Sequence, residues 1–327
     1  MSSNRSAILL LAHGTPNVLG DMAEYLSRVT GRPMPDHIIN ELRSRYAQIG
    51  LGDNRGSEPP PLTKWTLAQR RQLEQEIDGI PVYVAMRNWH PLIADVVGRM
   101  RADGVTHIKA ICLAPQNSRV SVGLYRKALL EASAGMKVDF ITDWADHPLL
   151  AQAFAEQLWP VWALACAEEG RRVPIIFTAH SVPCSSVVSY EEAASGDADA
   201  PDPYPVEVRQ TAAMVARCLE PVGLTDRDWY FAFQSQGIAG GPWLGPTVEE
   251  TLKALHEEGH TAAVIQPIGF LCDHVEVLYD IDIAFQRVAK ELGMKLWRTE
   301  SLNDSPLLTQ VLADIARSVT TPETSKV

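Results

Sequence analysis

Ala12-His13-Gly14-Thr15-Pro16 closes the apolar run that begins at Ile8, and Ala179-His180-Ser181-Val182-Pro183 closes a second run that begins at Val173. A short, wholly apolar run that ends in a turn reads as a buried parallel strand. Meeting the same strand and turn twice implies two related halves. The echo reaches further along the chain. Pro91 precedes a predicted helix and Gly104 lies thirteen residues on; Pro246 precedes another and Gly259 also lies thirteen on. Each glycine is followed by an apolar strand, one delivering Pro115-Gln116-Asn117-Ser118 and the other Phe270-Leu271-Cys272-Asp273.

Around these anchors strands and helices alternate. Apolar strand patterns fall at 8–12, 81–87, 105–113, 138–142, 173–178, 229–233, 262–268 and 295–298. Helical patterns fall at 21–28, 36–46, 65–77, 92–100, 122–131, 149–167 (interrupted by Pro160), 206–219, 247–258 and 275–292, with a last one after Asp304-Ser305-Pro306. Repeated βαβ units predict an α/β fold of two doubly wound parallel sheets, with a cleft at the strands' carboxyl ends. His13, Ser118, His180 and Asp273 are then expected to point into that cleft. The expected division is 1–145 for the first half and 146–319 for the second, its terminal helix packing back on the first. Residues 320–327 are expected to form a disordered tail.

With 327 residues, 46% of them hydrophobic, the chain can build two real cores. A net charge of −11 argues against nonspecific nucleic-acid binding and against a basic membrane patch. The five cysteines are scattered without a C-x-x-C pair, which suits a reducing cytoplasm and no iron–sulfur cluster. No run approaches the ~18 apolar residues of a membrane span.

Chemistry concentrates in Phe270-Leu271-Cys272-Asp273-His274-Val275-Glu276-Val277-Leu278-Tyr279-Asp280. Asp273, Glu276 and Asp280 at i, i+3 and i+7 would share one helix face, a carboxylate strip suited to a divalent first-row metal. Asp273-x-x-Glu276 equally fits a helix capping box, and the two readings are compatible. Dinucleotide, P-loop, nucleophile-elbow and HExxH motifs are absent, which leaves His180 and Glu276 as base and metal acceptor from two strand ends. A structural histidine is the competing reading for His180.

Several motifs together resemble the ferrochelatases, which insert ferrous iron into a porphyrin: Thr178-Ala179-His180-Ser181-Val182-Pro183, the segment 196–204 ending in Asp-Pro-Tyr, Phe233-Gln234-Ser235, Pro242-Trp243-Leu244-Gly245-Pro246 and Asp273-His274-Val275-Glu276-Val277-Leu278-Tyr279. Arg45-Tyr46 with Ile49-Gly50, and Leu113 to Ser118 with Tyr125, match the first half's pattern. The resemblance covers nearly the whole chain. It implies two Rossmann-like domains facing across a porphyrin cleft, a lyase with no organic cofactor, and iron as substrate.

By position, His180 is then the catalytic histidine and Glu276 its carboxylate partner, both meeting the metal. Asp273 and Asp280 would line the metal's path, and Asn17, Arg45, Tyr46, Ser57 and Tyr125 would contact the porphyrin. Trp89, Tyr125 and Trp243 are candidates for the cleft walls, or for plain core. Asn17 stands where many soluble members carry tyrosine, Ala284 ends the acidic line early, and the loop 51–58 is long. Glu276-Val277-Leu278-Tyr279-Asp280 looks more like the coproporphyrin than the protoporphyrin branch. The propionates of coproporphyrin III would want guanidinium partners such as Arg28, Arg32, Arg45, Arg119 or Arg126. Alternatives are a protoporphyrin IX ferrochelatase, insertion of cobalt or nickel, and a non-catalytic porphyrin or haem carrier. Other haem-pathway enzymes are possible transient partners.

Overall fold

Alternation along a strand decides what each side chain meets, because neighbours point to opposite faces. In β1 (Ser6–Ala12), Ile8, Leu10 and Ala12 enter one core while Ala7, Leu9 and Leu11 enter another. The computed structural model describes residues 5–56, 58–142, 144–187, 202–237 and 241–318. β1 lies between β2 (Val82–Met86) and β3 (His107–Cys112), and β4 (Lys137–Ile141) completes a parallel sheet in the order β2-β1-β3-β4. β5 (Ile175–His180), β6 (Trp229–Gln234), β7 (Ala262–Pro267) and β8 (Lys295–Arg298) form a second parallel sheet in the order β6-β5-β7-β8.

Counted within each half, both orders are second-first-third-fourth, so the sequence echo is a repeat of topology. It persists in single hydrogen bonds. Met86 N donates to Pro91 O at 2.7 Å, and Phe233 N donates to Pro246 O at 2.8 Å.

The helices α1 (Met22–Thr30) and α2 (Asp36–Gln48) form a hairpin with its own small core of Met22, Tyr25, Leu26, Ile39, Tyr46 and Trp89. Trp89 is therefore core. α4 (Ile93–Ala102) and α5 (Val122–Ala132) cover the outer face of the first sheet, and α8 (Val248–Glu257) covers that of the second. Between the sheets lie α3 (Pro61–Glu76), α6 (Pro148–Glu169), α7 (Tyr204–Cys218) and α11 (Pro306–Arg317). One apolar cluster runs from Ile8 and Leu10 through Phe154, Leu158 and Leu312 to Ile175 and Phe177. α11 follows the second sheet but ties to the first: Lys109 of β3 donates to Ala316 O at 2.8 Å, and Arg317 donates to Glu76 O at 2.7 Å.

Two expectations need correction. α6 continues through Pro160, whose position on the exposed side leaves the unpaired carbonyl one turn back open to water. The helix expected over 275–292 is three pieces: α9 (Val275–Leu278), a wide π turn (Asp280–Phe285) and α10 (Gln286–Glu291). No helix among the described residues is long and apolar enough to cross a membrane. The expected tail at 320–327 lies outside the described residues.

Candidate active site

The two Ala-His turns end equivalent strands, yet they place their histidines in opposite chemical states. After β1, Gly14 takes φ +90°, and a Cβ there would sit 2.8 Å from the backbone nitrogen of Trp89. That close approach brings His13 Nε2 to 2.9 Å from Asn88 Nδ2, while Tyr25 Oη lies 3.2 Å from His13 Nδ1. Burial pulls His13 down to about 4, so its imidazole is neutral. Its place is inside the first-half framework.

After β5, Ser181 replaces that glycine and its hydroxyl donates to Leu244 O at 2.8 Å. His180 Nδ1 donates to the Ser181 carbonyl, which turns Nε2 toward Glu276 Oε1 at 3.3 Å. Burial alone would lower His180, but the Glu276 carboxylate and its hydrogen bond outweigh it and raise the imidazole to about 9. Burial likewise would raise Glu276, and His180 with His274 instead holds it well below the ordinary carboxylate range. With side chains 32% and 31% exposed, the pair is open to an arriving ion.

Three contacts deliver Glu276. Gly269 lets the chain after β7 lie on Ala179, whose Cβ would be 2.6 Å from any Cβ added there. Gln234, at the end of β6, donates to Glu276 O at 2.6 Å. His274 Nε2 lies 3.4 Å from Glu276 Oε2, so the carboxylate stands between two imidazoles. Sequence reading noted His274 within the acidic stretch but gave it no role; its spacing of two from Glu276 was the available signal.

Asp280 follows on the same side, taking a hydrogen bond from Ser235 Oγ. Burial raises its carboxyl to about 6, against the Ser235 bond and with the Glu276 charge adding to the rise. Asp273 does not share this face. His274 is extended (φ −159°, ψ −174°) and caps α9, so Asp273 lies outside the helix and no capping box forms. Its carboxylate is held by Ser301 at 2.9 Å, Asn303 at 3.1 Å and Arg298 at 3.4 Å.

Ser118, expected in the cleft, is instead taken up by a buried partner. It is buried and donates to Asp202 at 2.9 Å, and the same carboxylate accepts Arg119 N at 3.0 Å and Tyr204 N at 3.1 Å. The Asp-Pro-Tyr motif thus clips a first-half loop onto the start of α7.

Among the first-half candidates, Asn17 and Tyr46 line a cavity of about 420 Å³ with Thr15, Leu51, His274 and Val275. Tyr46 is buried and its phenol is pushed up to about 12, again by burial. Arg45 reaches across from α2: its guanidinium lies 3.9 Å from Asp280 and 5.3 Å from the Tyr279 ring centre. Tyr125 does not line this cavity; it is buried in the cluster of the first sheet, under Arg87. Ser57 lies outside the described residues, although Gly56 and Glu58 border the cavity. Among the described residues no group of three or more His, Cys, Asp or Glu forms a metal cage.

The chain matches the sequence model of the family Ferrochelatase over residues 5–320. It is 55% identical over 319 residues to the protein named Ferrochelatase from Acidobacterium capsulatum, covering 96% of this chain and 94% of that one. It is 33% identical over 326 residues to the Coproporphyrin III ferrochelatase of Geobacillus thermodenitrificans, covering 96% of each. Among solved structures, SirB from Bacillus subtilis with Fe3+ superposes with a TM-score of 0.54 at 11% identity, over 96% of this chain and 94% of that one, a likeness of fold.

Proposed function

The chain belongs to the ferrochelatase family, which makes it a porphyrin metal chelatase, and from that premise we propose that it inserts ferrous iron into coproporphyrin III. The observation that carries the proposed site is the His180–Glu276 pair at 3.3 Å, open to solvent and backed by Asp280. Fe(2+) and the free porphyrin enter; the metalloporphyrin and two protons leave. In the resting pair His180 holds a proton against the Glu276 carboxylate. An arriving dication displaces that proton, because imidazole and carboxylate oxygen can both ligate it and water exchanges quickly around it. Once iron passes to the ring nitrogens, His180 is a neutral base positioned to take a pyrrole proton.

Asp280 serves in this reading as the next carboxylate on the metal's path. Asp273 is a weaker candidate for the path, since its oxygens are already engaged. Asn17, Arg45, Tyr46 and Tyr125 are the proposed porphyrin contacts. The coproporphyrin assignment is supported by the Glu276–Asp280 string and by likeness to relatives such as the Geobacillus protein of that name. The free cysteines and the absence of a paired-cysteine motif support a cytoplasmic protein without an iron–sulfur cluster.

Anaerobic absorbance with ferrous iron and either coproporphyrin III or protoporphyrin IX tests the proposal. Free-base bands should collapse faster with coproporphyrin III, and His180→Ala should lose insertion while still binding porphyrin. Faster turnover of protoporphyrin IX would overturn the substrate assignment, and an active His180→Ala variant would overturn the site.

A further inference from the structure

Arg87 immediately follows β2, at the carboxyl end of the first sheet, and its peptide nitrogen donates to Ala12 O at 3.0 Å. That bond sets it beside His13, whose imidazole its charge helps to keep neutral. The side chain is partly buried and lies over Tyr125, with the guanidinium carbon 5.7 Å from the ring centre. Its Nε is buried without an acceptor, and among the described residues no carboxylate pairs with it. Of the other partly buried guanidiniums, Arg298 pairs with Asp273 and Asp282, Arg70 with Glu74 and Arg45 with Glu41, while the Nε of Arg43 has the Leu19 carbonyl as its acceptor.

Withdrawing a guanidinium from water without a counter-charge is costly, and the cost disappears when an anion arrives. The Tyr125 ring under the guanidinium carbon favours a cation at this place, and a guanidinium fork suits a carboxylate taken by two parallel N–H groups. Neutral His13 beside it adds no second positive charge. We infer that Arg87 is a carboxylate subsite of the cleft, taking one of the propionates that coproporphyrin III carries where protoporphyrin IX has vinyl groups. This assignment rests on the coproporphyrin reading above and adds a residue that discriminates the two porphyrins.

The test is binding without metal, followed by porphyrin fluorescence, in wild type, Arg87→Gln and Arg87→Lys, with thermal melts to confirm folding. The ligands are coproporphyrin III, its tetramethyl ester and protoporphyrin IX. Loss of a charge-assisted fork should weaken coproporphyrin III by about ten- to a hundredfold in Arg87→Gln. Protoporphyrin IX and the ester should change by no more than about twofold, well under one hydrogen bond's worth. Arg87→Lys, which keeps the charge without the fork, should fall between. Equal weakening of all three ligands, or none, overturns the subsite. Binding is read apart from turnover, so wild type that binds coproporphyrin III in an Arg87-dependent way but metallates only protoporphyrin IX would sink the substrate reading and leave the subsite standing.

Discussion

His180 and Glu276 share one proton, and under the proposed mechanism the pH at which they release it would set when iron can enter. Because His180 is raised to about 9, kcat/KM should climb with pH toward that value as the imidazole loses its proton. In Glu276→Gln the largest attraction is gone while burial remains, so the limb should move down from about 9, with kcat/KM down by about a hundredfold or more. A pH–rate profile for both proteins checks this, and a limb left in place would refute it. Stability follows the same sign. The contribution of a raised histidine is full below 6.5 and fades as pH rises through about 9, so the melting gap between wild type and Glu276→Gln should narrow there. Asp280 follows the same direction in a lower pH window. Its carboxyl is raised from 3.8 to about 6, so its ionisation costs stability as pH rises through 6. Asp280→Asn should melt higher than wild type at pH 8, show no such advantage near pH 3.5, and bind iron less well.

At the level of elements, the approach of two loops places the site. Gly269→Ala forces the loop after β7 off Ala179 and should cost about 1–3 kcal/mol, with a larger proportional loss of turnover than of porphyrin affinity. Asp202→Ala leaves Ser118, Arg119 N and Tyr204 N without their acceptor, and each buried donor costs about 1–3 kcal/mol; urea unfolding would read the sum. Most of the architecture was legible because it is local. Apolar runs, helical periods and the doubled Ala-His turn report residues a few positions apart, and from them followed eight strands, their parallel sense and the repeat. Excluding the common motifs leaves His180 and Glu276 as a candidate pair, and the family motifs give them their expected roles. What could not be read depends on partners far along the chain. Asp273 leaves its helix face for Ser301 and Asn303, Ser118 is claimed by Asp202, and Arg87 is notable only for lacking a carboxylate. The π turn was equally invisible, since one extra residue per turn leaves the apolar pattern of Val277, Ile281 and Phe285 intact.

Across the whole molecule, α6, α7 and α11 bind the two sheets into one apolar mass, while α1 and α2 keep a separate small core. Native-state hydrogen exchange should therefore find β1, β5 and α11 opening together at the highest free energy, with α1 and α2 opening well below them. Porphyrin should slow exchange in the α1–α2 hairpin most, since the proposed contacts Arg45 and Tyr46 lie there. Uniform protection across both groups would count against this division. The shared filling has a mechanical consequence for the cleft. A vice whose frame is cast in one piece can move only its lighter jaw. Widening the gap by rotating one sheet against the other would mean tearing Leu158 and Leu312 from their neighbours, so any opening should fall to the hairpin rather than to the plate bearing His180.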